Sequence, residues 1–238
     1  MQYEAVAGIG THSTYGAQRW AAGVSARCDE TVAEEVPVAL VYNGISHAVM
    51  MATPQDHEDF AIGFSLSECI VGRPGEIHDL EIVERDNGIE VQMQLSAERA
   101  HILKEHRRTL AGRTGCGLCG TESLDQLAKR ASGMQASIQS SAVLSGGALP
   151  RALSELQNMQ HLFQLTGAVH AAAWCDVNGA IELVREDVGR HNALDKLIGS
   201  RASRRKGFEA GFVLMTSRAS YEIVQKAAAV GIAVVAAV

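Results

Sequence analysis

Two unbroken apolar runs near the C-terminus, Gly211-Phe212-Val213-Leu214-Met215 and Ile232-Ala233-Val234-Val235-Ala236-Ala237-Val238, constrain this chain most. Residues 221–230 between them carry a helical pattern. A strand that is apolar on every residue has no solvent side and must be covered on both faces. Parallel strands joined by a crossover helix meet that demand. The two runs therefore predict a β-α-β unit with parallel strands, and an α/β fold class. Ala168–Trp174, the turn Asn178-Gly179 and a return over Ile181–Val184 predict a hairpin, followed by a helix over 189–200. The chain stops at Val238, inside the second run. A buried strand usually passes into a covering segment, so the C-terminus is expected to be truncated.

The N-terminal half has a different rhythm. Residues 1–27 show little apolar periodicity and read as a tail. A β-rich run over 34–42, the hairpin turn Asn43-Gly44 and a return over 45–51 follow. Thr53-Pro54 opens a helix through about residue 70, with proline at its first position and acids in its first turn. Strands over 80–83 and 89–95 flank Asp86-Asn87-Gly88, and 97–108 reads as a helix. Residues 28–110 thus form a small α+β lobe and 111–238 a second lobe. The second lobe begins with a helix over 123–130, a Ser/Gly/Ala-rich loop over 132–148 and a helix over 151–165.

The chain has 238 residues and is 47% hydrophobic, enough for a real core. Its net charge of −6 argues against non-specific nucleic-acid binding. The basic clusters Arg107-Arg108 and Arg201–Lys206 read as solvated surface. No run approaches the roughly 18 apolar residues of a membrane span, and the N-terminus lacks a secretory pattern. A cytoplasmic location, where thiols stay reduced, is the expectation. Of five cysteines, Cys69 and Cys175 sit in apolar runs and read as buried small hydrophobes.

Cys116 and Cys119 are different. They lie in Gly112-Arg113-Thr114-Gly115-Cys116-Gly117-Leu118-Cys119-Gly120. Glycine buries no side chain and costs entropy on ordering, so packing does not call for this composition. A zinc site would need further ligands, and the deaminase pattern His-x-Glu with Pro-Cys-x-x-Cys is absent. A dithiol redox pair is open to any Cys-x-x-Cys, but a thioredoxin-like pair follows an early strand beside an aromatic residue. A sulfur carrier needs a nucleophilic thiol of low pKa, and Arg113 with a following helix start favours one.

Arg185–Lys196 packs Glu186, Asp187, Arg190, His191 and Asp195 around one glycine at a helix start. Glu186 and Asp195 suit a cap and salt bridges. Asp187, Arg190 and His191 suit a ligand pocket. Thr216-Ser217-Arg218-Ala219-Ser220 lies where a parallel strand feeds a helix, so Ser217 and Arg218 suit an anion site. His170, on an apolar strand, is either a core histidine or part of the same pocket.

Together, AEEVPVALVYNGISH (33–47), AGRTGCGLCG (111–120), VHAAAW (169–174), EDVGRHNALDKLIG (186–199) and SRASYEIVQKAA (217–228) make the chain similar to the FdhD family, sulfurtransferases that mature formate dehydrogenase. The resemblance implies a cytidine-deaminase-like C-terminal lobe without zinc. It implies sulfur taken from a cysteine desulfurase as a persulfide on Cys116 and passed to the molybdenum of bis-molybdopterin guanine dinucleotide. It also implies a cytoplasmic homodimer, and a further C-terminal segment that binds cofactor. Cys119 either attacks the persulfide, leaving a disulfide and releasing sulfide, or tunes the Cys116 thiol. The rival reading is a non-catalytic chaperone that holds the cofactor for the apo-dehydrogenase.

Overall fold

A computed structural model describes residues 10–108 and 143–238. Cys116, Cys119 and the helix expected over 123–130 lie outside the described residues. The fold is mixed α/β, as the apolar runs predict. The first sheet contains β3 (Val36–Tyr42), β4 (Ile45–Ala52), β5 (Ile77–Arg85) and β6 (Gly88–Leu95), in the order β4-β3-β6-β5. Asn43 and Gly44 both take positive φ, 49° and 76°, which suits the twist of the β3–β4 hairpin. Ile89, Val91, Met93 and Leu95 of β6 all turn to the core, so the sequence alternation is the burial alternation.

The expected tail is instead partly a hairpin. β1 (His12–Ala21) pairs antiparallel with β2 (Val24–Ala33). Its turn, Ala22-Gly23, has positive φ at both residues, and almost none of its side chains is buried. Apolar periodicity was therefore never available to announce it.

Helix α1 (His57–Ser67) lies under this sheet and starts later than Pro54 implies. Thr53 and Gln55 are held by Asp187 and Glu186, and Asp56 takes φ 54°, so the chain cannot turn helical earlier. Cys69 follows the helix in the left-handed region, φ 57°, and is exposed, not buried as expected. The chain reverses there, while Ile70 and Val71 return to the core. Helix α2 (Ala97–Arg108) closes the first half.

The second sheet has the order β10-β9-β7-β8, with β7 (His170–Asp176), β8 (Ile181–Asp187), β9 (Gly211–Met215) and β10 (Val235–Ala237). β9 and β10 run parallel, as the β-α-β reading requires. Every residue of β9 is buried, but β10 is the edge strand and is partly exposed, so only the first apolar run is covered on both faces. The helix expected over 151–165 is two helices, α3 (Ala148–Met159) and α4 (His161–Thr166). The Leu162 and Phe163 N–H groups each donate to the Glu186 carboxylate at 2.9 Å, which fixes α4 to the end of β8 and breaks the helix at Gln160. Cys175 is fully buried, as expected. Arg201 is buried too, its guanidinium 4.1 Å over the Trp174 ring and bonded to Glu182, so the basic cluster is surface only from Arg204 onward.

Helix α5 (Arg190–Ser203) packs on the second sheet and against α1, so the two sheets are joined through a pair of helices and share one core. α6 (Tyr221–Ala229) joins β9 to β10. Two glycines set the closeness of the pair. A Cβ on Gly63 would lie 1.7 Å from the Asp195 carbonyl oxygen, and one on Gly199 would lie 1.9 Å from that of Asp59. Charges at this junction are paired. The Lys226 ammonium reaches Asp195 at 2.9 Å and Glu68 at 3.0 Å, and Arg185 reaches Asp59 at 2.7 Å. Among the described residues no helix is long and apolar enough to cross a membrane.

Candidate functional site

Antiparallel pairing places the start of β7 beside the ends of β8 and β9. His170 lies opposite Asp187, and the Thr216 hydroxyl accepts from the Ala171 N–H at 2.8 Å. Helices α5 and α6 both begin at this sheet edge. Residues from three distant segments, 170, 187–191 and 216–221, therefore meet there.

The residue before α5 is Gly189, which has no side chain to cap the first-turn N–H groups. Those groups and the helix dipole leave partial positive charge at the mouth. Arg190, the first helical residue, has a buried Nε with no hydrogen-bond partner among the described residues. The Tyr221 hydroxyl, at the start of α6, is buried and equally unpartnered. Arg218 is exposed and forms no ion pair among the described residues. Buried polar groups are normally satisfied, so unsatisfied donors grouped beside an uncapped helix start suit a phosphate-bearing ligand.

A family model described as FdhD/NarQ matches residues 33–238. The chain belongs to that family. It is 56% identical over 228 residues to a protein of Cupriavidus necator named sulfur carrier protein FdhD, covering 96% of this chain and 78% of that one. Proteins of the same name from Bordetella petrii and Acinetobacter baylyi are 52% and 51% identical, each over 88% of this chain and 74% and 75% of their own lengths. A solved structure from Desulfotalea psychrophila, provisionally assigned as a formate dehydrogenase accessory protein, shares the fold. Its TM-score is 0.66 at 22% identity, over 96% of this chain and 83% of that one.

The sequence-derived pocket residues separate into two groups. Asp187 is fully buried and its carboxylate is already engaged. It accepts from Thr53 N at 3.0 Å, Lys196 Nζ at 2.6 Å, Gly189 N at 2.7 Å and Asn192 Nδ2 at 3.0 Å. Both of its oxygens are thus occupied by the protein's own groups. Ser217 is buried and its hydroxyl donates to the Arg218 carbonyl at 3.4 Å. Glu186 and Asp195 act as a cap and an ion pair, as their positions suggest.

Arg190, His191, Arg218 and His170 remain at the edge. Burial, with Arg190, Lys226 and His170 nearby, pushes His191 down to about 4, opposed by Glu68. It is neutral at pH 7. Its contacts with the Ser220 hydroxyl at 3.2 Å and Glu222 at 3.4 Å are therefore hydrogen-bonding contacts, not an ion pair. Burial also raises the Glu222 carboxyl. Ser220 caps α6, so His191 ties the starts of the two helices together. Sequence reading missed Tyr221, whose only signal was an aromatic residue at the first position of α6. It also missed Thr53 and Lys196, whose partners lie far away in the chain.

Proposed function

We propose that this chain is a sulfur carrier that serves formate dehydrogenase. The Cys116 thiolate attacks the terminal sulfur of a cysteine desulfurase persulfide. A Cys116 persulfide forms and the desulfurase thiol leaves. The acceptor is the molybdenum of bis-molybdopterin guanine dinucleotide, which supplies the metal centre to be sulfurated. Arg190 and Arg218 meet its phosphates, the uncapped start of α5 adds N–H donors, and the Tyr221 hydroxyl donates a further bond. Neutral His191 offers a ring nitrogen as a hydrogen-bonding group. Release of sulfide needs two electrons. Attack by the Cys119 thiol on the Cys116 persulfide supplies them and leaves a disulfide. The protein works in the cytoplasm as a homodimer, where reducing conditions regenerate both thiols.

The half-buried Arg190, whose buried Nε has no partner among the described residues, beside an uncapped helix start, carries the cofactor half of this reading. The names of the relatives support the sulfur half. Cells whose only copy is Cys116→Ala are expected to make formate dehydrogenase protein without activity. Wild-type activity in those cells would overturn the carrier role and leave a chaperone that only holds cofactor.

A further inference from the structure

We propose that Lys196 and Asp187 are positioning residues for the anion-facing edge: together they lock the connection between β8 and α5 onto the N-terminal lobe, and so set where Arg190 and His191 stand. The proposal rests on the nucleotide-cofactor reading of that edge.

The connection between β4 and α1 meets the connection between β8 and α5 along a row of hydrogen bonds. The Thr53 N–H donates to Asp187 Oδ2 at 3.0 Å, and the Val188 N–H donates to the Thr53 hydroxyl at 3.1 Å. Asn192 Nδ2 donates to the Met51 carbonyl at 2.8 Å, and Gln55 Nε2 to that of Glu186 at 3.2 Å. Lys196 closes the row from below. Its fully buried ammonium donates to the Thr53 carbonyl at 3.0 Å and pairs with Asp187 at 2.6 Å. The other Asp187 oxygen accepts from the Gly189 N–H and from Asn192. Gly189 immediately precedes Arg190. A Cβ there would lie 2.9 Å from Asn192 Nδ2, so a side chain at 189 would disturb the bonds that Asn192 makes to Asp187 and to the Met51 carbonyl.

One lysine therefore fixes a carboxylate, the carboxylate fixes the helix start, and the helix start presents the guanidinium. Removing one member of a buried pair leaves the other charge uncompensated. In Lys196→Met the Asp187 carboxylate must find water or move, and the turn at Gly189 moves with it. A site displaced by about an ångström loses affinity well beyond the loss of a single contact.

The test uses the full chain and guanosine diphosphate as the probe, followed by calorimetry. Lys196→Met is expected to bind about tenfold more weakly than wild type. Cys116 is expected to gain sulfur from the desulfurase as before, because loading needs the fold but not this edge. Thr53→Val, which keeps the side-chain shape and loses only the bond from Val188, is expected to show a smaller weakening in the same direction. It carries the test if Lys196→Met does not fold. The His191 imidazole, read by NMR, is expected to titrate closer to 6.5 in Lys196→Met as the helix start loosens. Folded variants with wild-type affinity and an unmoved His191 titration would overturn the positioning role. Wild-type protein that fails to bind the nucleotide would instead overturn the cofactor reading, with the His191 titration still deciding the role of Lys196.

Discussion

The α1–α5 junction and the sheet-edge site lie side by side and are opposite in character. At the junction, Lys226, Lys196 and Arg185 each meet a carboxylate, and two glycines bring the helices to backbone contact. At the edge, Arg190 and Tyr221 keep buried polar atoms with no partner among the described residues. Both regions draw on the same short stretch, Arg185–Lys196. The difference lies in the charged groups: those of the junction are paired within the fold, while Arg190 at the edge forms no ion pair among the described residues.

Substitutions should therefore divide cleanly. Asp195→Ala strands the Lys226 ammonium in the core and is expected to cost about 3–5 kcal/mol in urea unfolding. A smaller loss would mean that Glu68 alone holds the lysine. Gly63→Ala must push α1 away from the Asp195 carbonyl, and a cost of about 1–3 kcal/mol is expected in the same experiment. No loss would show that the helix contact is softer than its distances imply.

The pH dependence separates the regions more finely. His57 is buried at the junction with both ring nitrogens unpartnered among the described residues, and burial, with Lys196 nearby, pushes it down to about 4. The unfolded chain binds the proton near 6.5 and the folded protein only near 4, so stability rises with pH across that window. The contribution is complete above 6.5 and lost as pH falls toward 4. Urea midpoints at pH 7 and pH 5 are expected to differ less in His57→Leu than in wild type. Equal differences would place the acid sensitivity elsewhere.

The smallest effect on stability belongs to the edge. Arg190→Gln is expected to shift unfolding by no more than about 0.5 kcal/mol, as for a half-buried group with no ion pair among the described residues, while guanosine diphosphate affinity falls about tenfold. A large stability loss with unchanged affinity would invert the comparison.

Local signals were legible in the sequence. Asn43-Gly44 announced its hairpin, β6 its alternation, and Gly211–Met215 its full burial. The β1–β2 hairpin was not, because Ala22-Gly23 is an unmarked turn and the strands bury almost nothing. Pro54 suggested a helix start that long-range bonds to residues 186 and 187 delay by three residues. At the site, Arg190, His191 and Arg218 were legible from charge clustered at helix starts. Asp187 looked equally exposed to a ligand, since nothing local shows that Thr53 and Lys196 fill its oxygens. Lys196 carried no signal at all, because its meaning lies in a contact 143 residues away.

On the proposed function, sulfur travels on Cys116. Incubating the full chain with cysteine and an active desulfurase, then weighing its tryptic peptides, tests that claim directly. A gain of one sulfur atom is expected on the peptide that contains Cys116, removed by a thiol reductant. An unchanged peptide beside a desulfurase that still forms its own persulfide would contradict it.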